Sequence, residues 1–121
     1  MIDILLATFN SSSFVAETLD SILEQDFEGN YRILIRDGGS EDGTVAILND
    51  FARRNTNKIQ IVEALGKSSP CENFAELLKV STAPYIMFSD HDDIWNNDKI
   101  SGSLALLQKH ECSGNEPVLL F

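Results

Sequence analysis

YIMFSDHDDIW, residues 85–95, is the stretch whose reading decides the fold. Tyr85, Ile86, Met87 and Phe88 make an apolar run of strand length that leads straight into Asp90, His91, Asp92 and Asp93. Three carboxylates this close repel one another, so the cluster opposes folding unless a counter-ion sits among them. A strand end is stiff and holds such groups at fixed positions. Asp90 and Asp92 are one residue apart, and on an extended chain their side chains point to the same side. Hard cations such as magnesium or manganese favour carboxylate oxygens and water. The stretch reads as a buried strand ending in a divalent-cation seat. Open coordination positions there suit phosphate oxygens, and the ion could stabilise a departing diphosphate as a Lewis acid. The competing reading is a solvated acidic turn, with Asp93 or Asn97 capping the following helix. His91 reads as an exposed loop residue, and Trp95 as a packing anchor beneath the loop.

Working outward, strand-like and helix-like segments alternate along the chain. Ile2 to Ala7 is apolar apart from Asp3 and reads as a buried strand, followed by a TFNSSS loop in which Ser13 could cap a helix. Val15, Leu19, Ile22 and Leu23 recur at helical spacing within 14–25. Asn30 to Ile35 predicts a second strand that ends in RDGGSEDGT, and Val45, Leu48, Phe51 and Ala52 mark the inner face of a second helix. Ile59 to Val62 predicts a third strand. Cys71 to Val80 predicts a third helix, with Phe74, Leu77 and Leu78 on one side. Asn97 to Lys109 predicts a fourth, carrying Ile100, Leu104 and Leu107, and Pro117 to Phe121 a fifth strand. Such alternation implies βαβ units: an α/β domain spanning residues 1–121, with a mostly parallel sheet and helices on both faces. In open sheets of this kind ligands bind at the carboxyl ends of the strands. TFNSSS, RDGGSEDGT and SDHDDIW are all expected there.

Composition narrows the partners. The chain has 121 residues, is 43% hydrophobic and carries a formal net charge of −10. One domain with a real core fits that length. The acidic balance argues against nucleic acid and anionic membranes, which need a basic surface. A negatively charged small molecule remains compatible if a metal ion bridges the like charges. No apolar run is long enough to span a bilayer, and a strand-like segment beginning at Ile2 leaves no room for a signal peptide. Cys71 and Cys112 have no metal-type spacing, so the expectation is a reduced, cytoplasmic chain with free thiols.

In the other two loops several readings stay open. RDGGSEDGT lacks the spacing of a dinucleotide fingerprint and the lysine of a phosphate loop. Gly38 and Gly39 permit positive φ and close approach of a ligand to the backbone. Asp37 could accept a hydrogen bond from a nucleobase or ribose, or it could be a turn former bonding its own backbone. Asp42 and Gly43 read as turn and helix-start residues. Thr8 and Asn10 could meet a base or phosphate, or serve only the loop.

Taken together, LLATFN, DSILEQDF, IRDGGSEDGT, ENFAELLKVSTAPYIMFSDHDDIW and DKI, in this order, resemble the N-terminal half of a family 2 glycosyltransferase of the bacterial surface-polysaccharide type. The resemblance implies a Rossmann-like GT-A fold and transfer of a sugar from a nucleoside diphosphate sugar to an acceptor hydroxyl, usually with inversion. By position it implies that Thr8, Phe9 and Asn10 line the nucleotide pocket and that Asp37 and Gly38 fall in the motif contacting the base. Asp90 and Asp92 become the D-x-D, with Asp92 the direct ligand of manganese or magnesium and Asp90 nearer the ribose or metal. Lys67 falls where some relatives place a base or phosphate contact. Many relatives carry two consecutive acids where this chain has Asp37 and Gly38. Family members run further, and their catalytic base, commonly an Asp, is expected beyond Phe121. So is the site for a saccharide or lipid-linked saccharide acceptor, and membrane association would belong to that longer protein. Glu111 and Glu116 match no base motif. These residues are therefore expected to bind donor weakly and to turn over little.

Two other classes compete. Haloacid-dehalogenase-type phosphatases also place a D-x-D after an apolar strand, but after the first strand and followed by Thr or Val, where this chain has Ile94 after its fourth. Receiver modules place paired acids after the first strand, where this chain has TFN.

Overall fold

The computed structural model describes residues 1–27, 29–64, 66–111 and 119–120, with backbone alone for 106–111 and 119–120. Its parallel sheet has the order β3-β2-β1-β4-β5, formed by β1 (Ile2–Thr8), β2 (Tyr31–Asp37), β3 (Ile59–Ile61), β4 (Tyr85–Ser89) and β5 (Leu119–Leu120). The helices between them are α1 (Val15–Leu23), α2 (Thr44–Arg54), α3 (Pro70–Val80) and α4 (Lys99–Glu111). The remainder of the expected last strand, Cys112 and Glu116 lie outside the described residues.

Every residue of β1 is buried, as a central strand covered on both faces requires. One face carries Ile2, Ile4 and Leu6 against Val15, Leu19 and Ile22 of α1, Leu48 and Phe51 of α2, and Ile100 of α4. The other carries Leu5 and Leu34 against Leu77 of α3. Burying one such aliphatic side chain stabilises the fold by about 1.5–3 kcal/mol. The strand order reverses between β1 and β4, and ligands bind α/β sheets at that crevice.

Several boundaries differ from those read in the sequence. Ser13 does not cap α1: the N–H groups of Phe14 and Val15 donate to the carbonyl of Ser11 at 2.9 Å each. Ser11 is fixed there because its own N–H donates to Thr44 Oγ1 at 2.7 Å. β2 runs on to Asp37 because its ladder with β1 continues to the pair Thr8 and Asp37. Val45 is 43% exposed and Thr44 takes the buried place expected of it, while Leu78 is 40% exposed. Asp93 spends a side-chain oxygen on the N–H of Asp90, at 3.2 Å, inside its own turn. Asn97 contributes its carbonyl to the N–H of Asp26 at 2.8 Å.

Candidate functional site

The loops after β1 and β2 are joined into one unit. Asp37 Oδ1 accepts from Thr8 Oγ1 at 2.8 Å and from Ser40 Oγ at 2.6 Å, while Oδ2 accepts from the N–H groups of Gly39 at 3.1 Å and Ser40 at 2.7 Å. A carboxylate has about four lone-pair positions, and the chain occupies them. Of the two readings of Asp37, turn formation is the one the geometry displays. Asn10, at φ 46°, donates its N–H to Ser40 Oγ at 2.8 Å and accepts from the N–H of Glu41 at 3.0 Å through Oδ1. Asp42 accepts from Thr44 at the start of α2, and these bonds hold its carboxyl well below the usual range. Lys67 is exposed and pairs with Glu41 at 3.3 Å.

Gly38 has a steric reason. Its N–H donates to the Thr8 carbonyl at 2.8 Å, and its carbonyl accepts from the N–H of Ser68 at 3.2 Å. A Cβ at this position would lie 2.7 Å from the Ser68 carbonyl oxygen, a backbone atom, so any side chain there requires the 66–69 loop to shift. Gly38→Ala is expected to destabilise the fold by about 1–3 kcal/mol through overpacking, read as an earlier midpoint in urea. An unshifted midpoint would show that the 66–69 loop yields freely.

At the end of β4, one carboxylate oxygen from each of Asp90, Asp92 and Asp93 lies within 4.8 Å of the others. Asp90 and Asp92 are exposed and Asp93 half-buried. Three hard oxygen donors at a rim open to water fit a magnesium or manganese ion that keeps several waters and takes phosphate oxygens. His91 is not the exposed loop residue expected: it is half-buried, its carbonyl accepts from Thr18 Oγ1 at 3.0 Å, and its Nδ1 is buried without a partner among the described residues. Trp95 is the expected anchor. It is 4% exposed, its backbone N–H donates to Ser21 Oγ at 2.9 Å, and Lys99 Nζ sits 4.4 Å over its ring.

Asp90 borders a cavity of about 240 Å3 at the mouth of β1, lined also by Thr8, Phe9, Asn73, Phe74 and His91. Sharing Phe9 and Pro70 with it is a chamber of about 380 Å3 whose walls include Gly38, Lys67, Ser68 and Glu72. On the other side of Asp90, Phe74, Leu78 and Phe88 form an apolar hollow of about 470 Å3. A further hollow of about 480 Å3 lies between α2 and β3. It does not touch the acidic cluster, but Asp37, Ser40, Asn49, Glu63 and Lys67 line it; the cavity reaches Asp90 and opens toward the chamber past Phe9 and Pro70. Thr8, Phe9, Gly38, Lys67 and Asp90 line these two spaces; Asn10 does not. Asn73 was missed in the sequence. The signal beside it was legible, for SPCE at 69–72 is a capping-box pattern, and Ser69 Oγ does accept from the N–H of Glu72 at 3.2 Å.

Comparison with known proteins agrees with this geometry. Residues 3–116 match the model of glycosyl transferase family 2, and the chain belongs to that family. It is 35% identical over 106 residues to the dTDP-rhamnosyl transferase RfbG of Shigella flexneri, covering 84% of this chain and 36% of that enzyme. The chain thus spans about a third of that relative's length. Staphylococcus aureus TarS, solved in complex with UDP-GlcNAc, superposes with a TM-score of 0.82 at 24% identity over 91% of this chain and 32% of its own. A mannosyltransferase from Pyrobaculum calidifontis, solved with GDP-Man and Mn2+, gives 0.81 at 22% identity, covering 88% and 32%. The fold is GT-A. Among the described residues no helix is long and apolar enough to cross a membrane.

Proposed function

We propose that residues 1–121 are the donor-binding part of a metal-dependent glycosyltransferase of surface-polysaccharide synthesis. It moves a sugar from a nucleoside diphosphate sugar to an acceptor hydroxyl with inversion at the anomeric carbon. The observation that carries this reading is the acidic cluster of Asp90, Asp92 and Asp93 beside the cavity where the strand order reverses. Asp92, assisted by Asp90, would hold the manganese or magnesium ion, which supplies charge neutralisation of the diphosphate. Thr8, Phe9, Gly38 and Lys67 surround the nucleoside, and Asp37 and Asn10 shape the loop that presents them. The acceptor is a saccharide or lipid-linked saccharide. No residue among 1–121 is assigned as the base that deprotonates it, so donor binding rather than turnover is the activity assigned to these residues.

Calorimetric titration with UDP, GDP and dTDP, with and without manganese, tests the reading. Manganese should tighten binding of at least one of them about tenfold or more, and Asp92→Ala should remove that gain. Affinity indifferent to both the metal and the substitution would sink the assignment.

A further inference from the structure

The cavity at the mouth of β1 contains a buried polar side chain that the folded chain uses at only one end. Asn73, in the first turn of α3, is 1% exposed. Its Oδ1 accepts from Arg36 Nη1 at 3.0 Å and from Ser68 Oγ at 2.7 Å. A guanidinium can only donate, which fixes the carboxamide with its oxygen toward Arg36 and its nitrogen turned away. Among the described residues Nδ2 has no hydrogen-bond partner. A Cβ added to Gly38 would come within 3.1 Å of Nδ2, so the NH2 group sits over the bare Cα of that glycine. Asn73 lines the cavity and Gly38 the chamber. The idle donor therefore lies where the two spaces meet. Nδ2 is not among the fully buried atoms left without a partner, so it is open to the cavity, where a ligand would supply the acceptor.

The order of the spaces identifies which part of a ligand that is. A nucleoside diphosphate runs base, pentose, diphosphate. The cavity touches the acidic cluster through Asp90, whereas the chamber reaches Lys67 and Glu72 and includes none of the three acids. At about 240 Å3 the cavity is smaller than the roughly 300–1,000 Å3 typical of a site for a whole ligand. With the diphosphate at the acids, the pentose falls in the cavity and the base in the chamber. Resting on the donor-binding reading, we propose that Asn73 is a donor-specificity residue: its Nδ2–H donates to a pentose hydroxyl, while Arg36 and Ser68 hold the carboxamide in place.

Asn73→Asp tests this, because the carboxylate keeps an acceptor facing Arg36 and Ser68 while the NH2 donor gives way to a charged oxygen, and the deoxy analogues separate the lost donor from the added charge. The nucleotide among UDP, GDP and dTDP that binds the wild-type chain best with manganese is titrated into both proteins, beside analogues lacking the 2′ or the 3′ hydroxyl. The variant should bind the parent nucleotide about tenfold or more weakly, and one of the deoxy analogues should show little or none of that loss. Equal affinity of the parent nucleotide for both proteins overturns the proposal and leaves donor binding intact. An identical loss for every analogue also overturns it, since that marks charge repulsion from the new carboxylate. If none of the three nucleotides binds the wild-type chain, the donor-binding reading itself fails, and this inference fails with it.

Discussion

Asp3→Ala is expected to lower the unfolding free energy by about 2–4 kcal/mol, a large part of the roughly 5–15 kcal/mol that holds a domain together. Asp3 is an ionised group near the start of a hydrophobic strand and is 0% exposed. It is tolerated because donors surround it. Arg32 Nε and Nη2 each reach it at 3.0 Å, and Oδ2 also accepts from Ser81 Oγ at 2.6 Å and from the N–H groups of Thr82 at 3.1 Å and Ala83 at 3.2 Å. One side chain thus ties the link between α3 and β4 to the bottom of β1 and β2. Alanine would leave those donors without an acceptor, and an unmade buried hydrogen bond costs more than a made one contributes. The figure stays below that for a fully buried pair because the Arg32 side chain is 27% exposed and can turn to water.

The same group sets an acid limb. Burial works to raise the Asp3 pKa, but the hydrogen bonds from Arg32, Ser81 and Ala83 and the Arg32 charge hold it below its ordinary 3.8. A carboxyl depressed in the folded state stabilises above its unfolded pKa, and that contribution is lost as pH falls through the folded value. Urea midpoints measured from pH 6 down to pH 2 should therefore fall more steeply in the wild-type chain than in Asp3→Asn. Parallel curves would mean that Asp3 does not drive the acid limb.

The sequence displayed the alternation of β1 to β4 with α1 to α4 because each buried run is bounded by turn residues and each helix carries an apolar face. It also displayed the acidic rim, since D-x-D-D after Tyr85–Phe88 is legible from residue type alone. What it hid was long-range pairing. The Asp3–Arg32 bond joins residues whose meeting depends on the register of β1 on β2, and nothing local marks either one. His91 reads as loop, yet it is drawn inward by Thr18, which lies in α1. Val45 reads as inner face, yet the buried place belongs to Thr44, whose hydroxyl accepts from the N–H of Ser11. Asn73 is a single amide in an amphipathic helix, and its position against Gly38 follows only from the packing of the 66–69 loop.

Asp37→Ala should act on the whole rim, lowering stability by about 2–3 kcal/mol and weakening nucleotide binding about tenfold or more. The carboxylate is the joint between the first two loops. Without it Thr8 Oγ1, on a residue only 2% exposed, loses its acceptor. Ser40 loses the carboxylate that orients it, and with it the anchor for the Asn10 N–H. Thr8 and Phe9 would then line the cavity from a loosened chain. Asp37→Asn separates this role from direct reading of a base. Its oxygen can still serve the hydroxyls of Thr8 and Ser40, but its NH2 would face the N–H groups of Gly39 and Ser40, which it cannot bond. If the carboxylate is the joint, the urea midpoint falls and affinities for UDP, GDP and dTDP weaken by a common factor. If it reads the base, the midpoint holds and the preference among the three nucleotides changes. The lone pairs are already committed to the chain, so the common factor is the expected result.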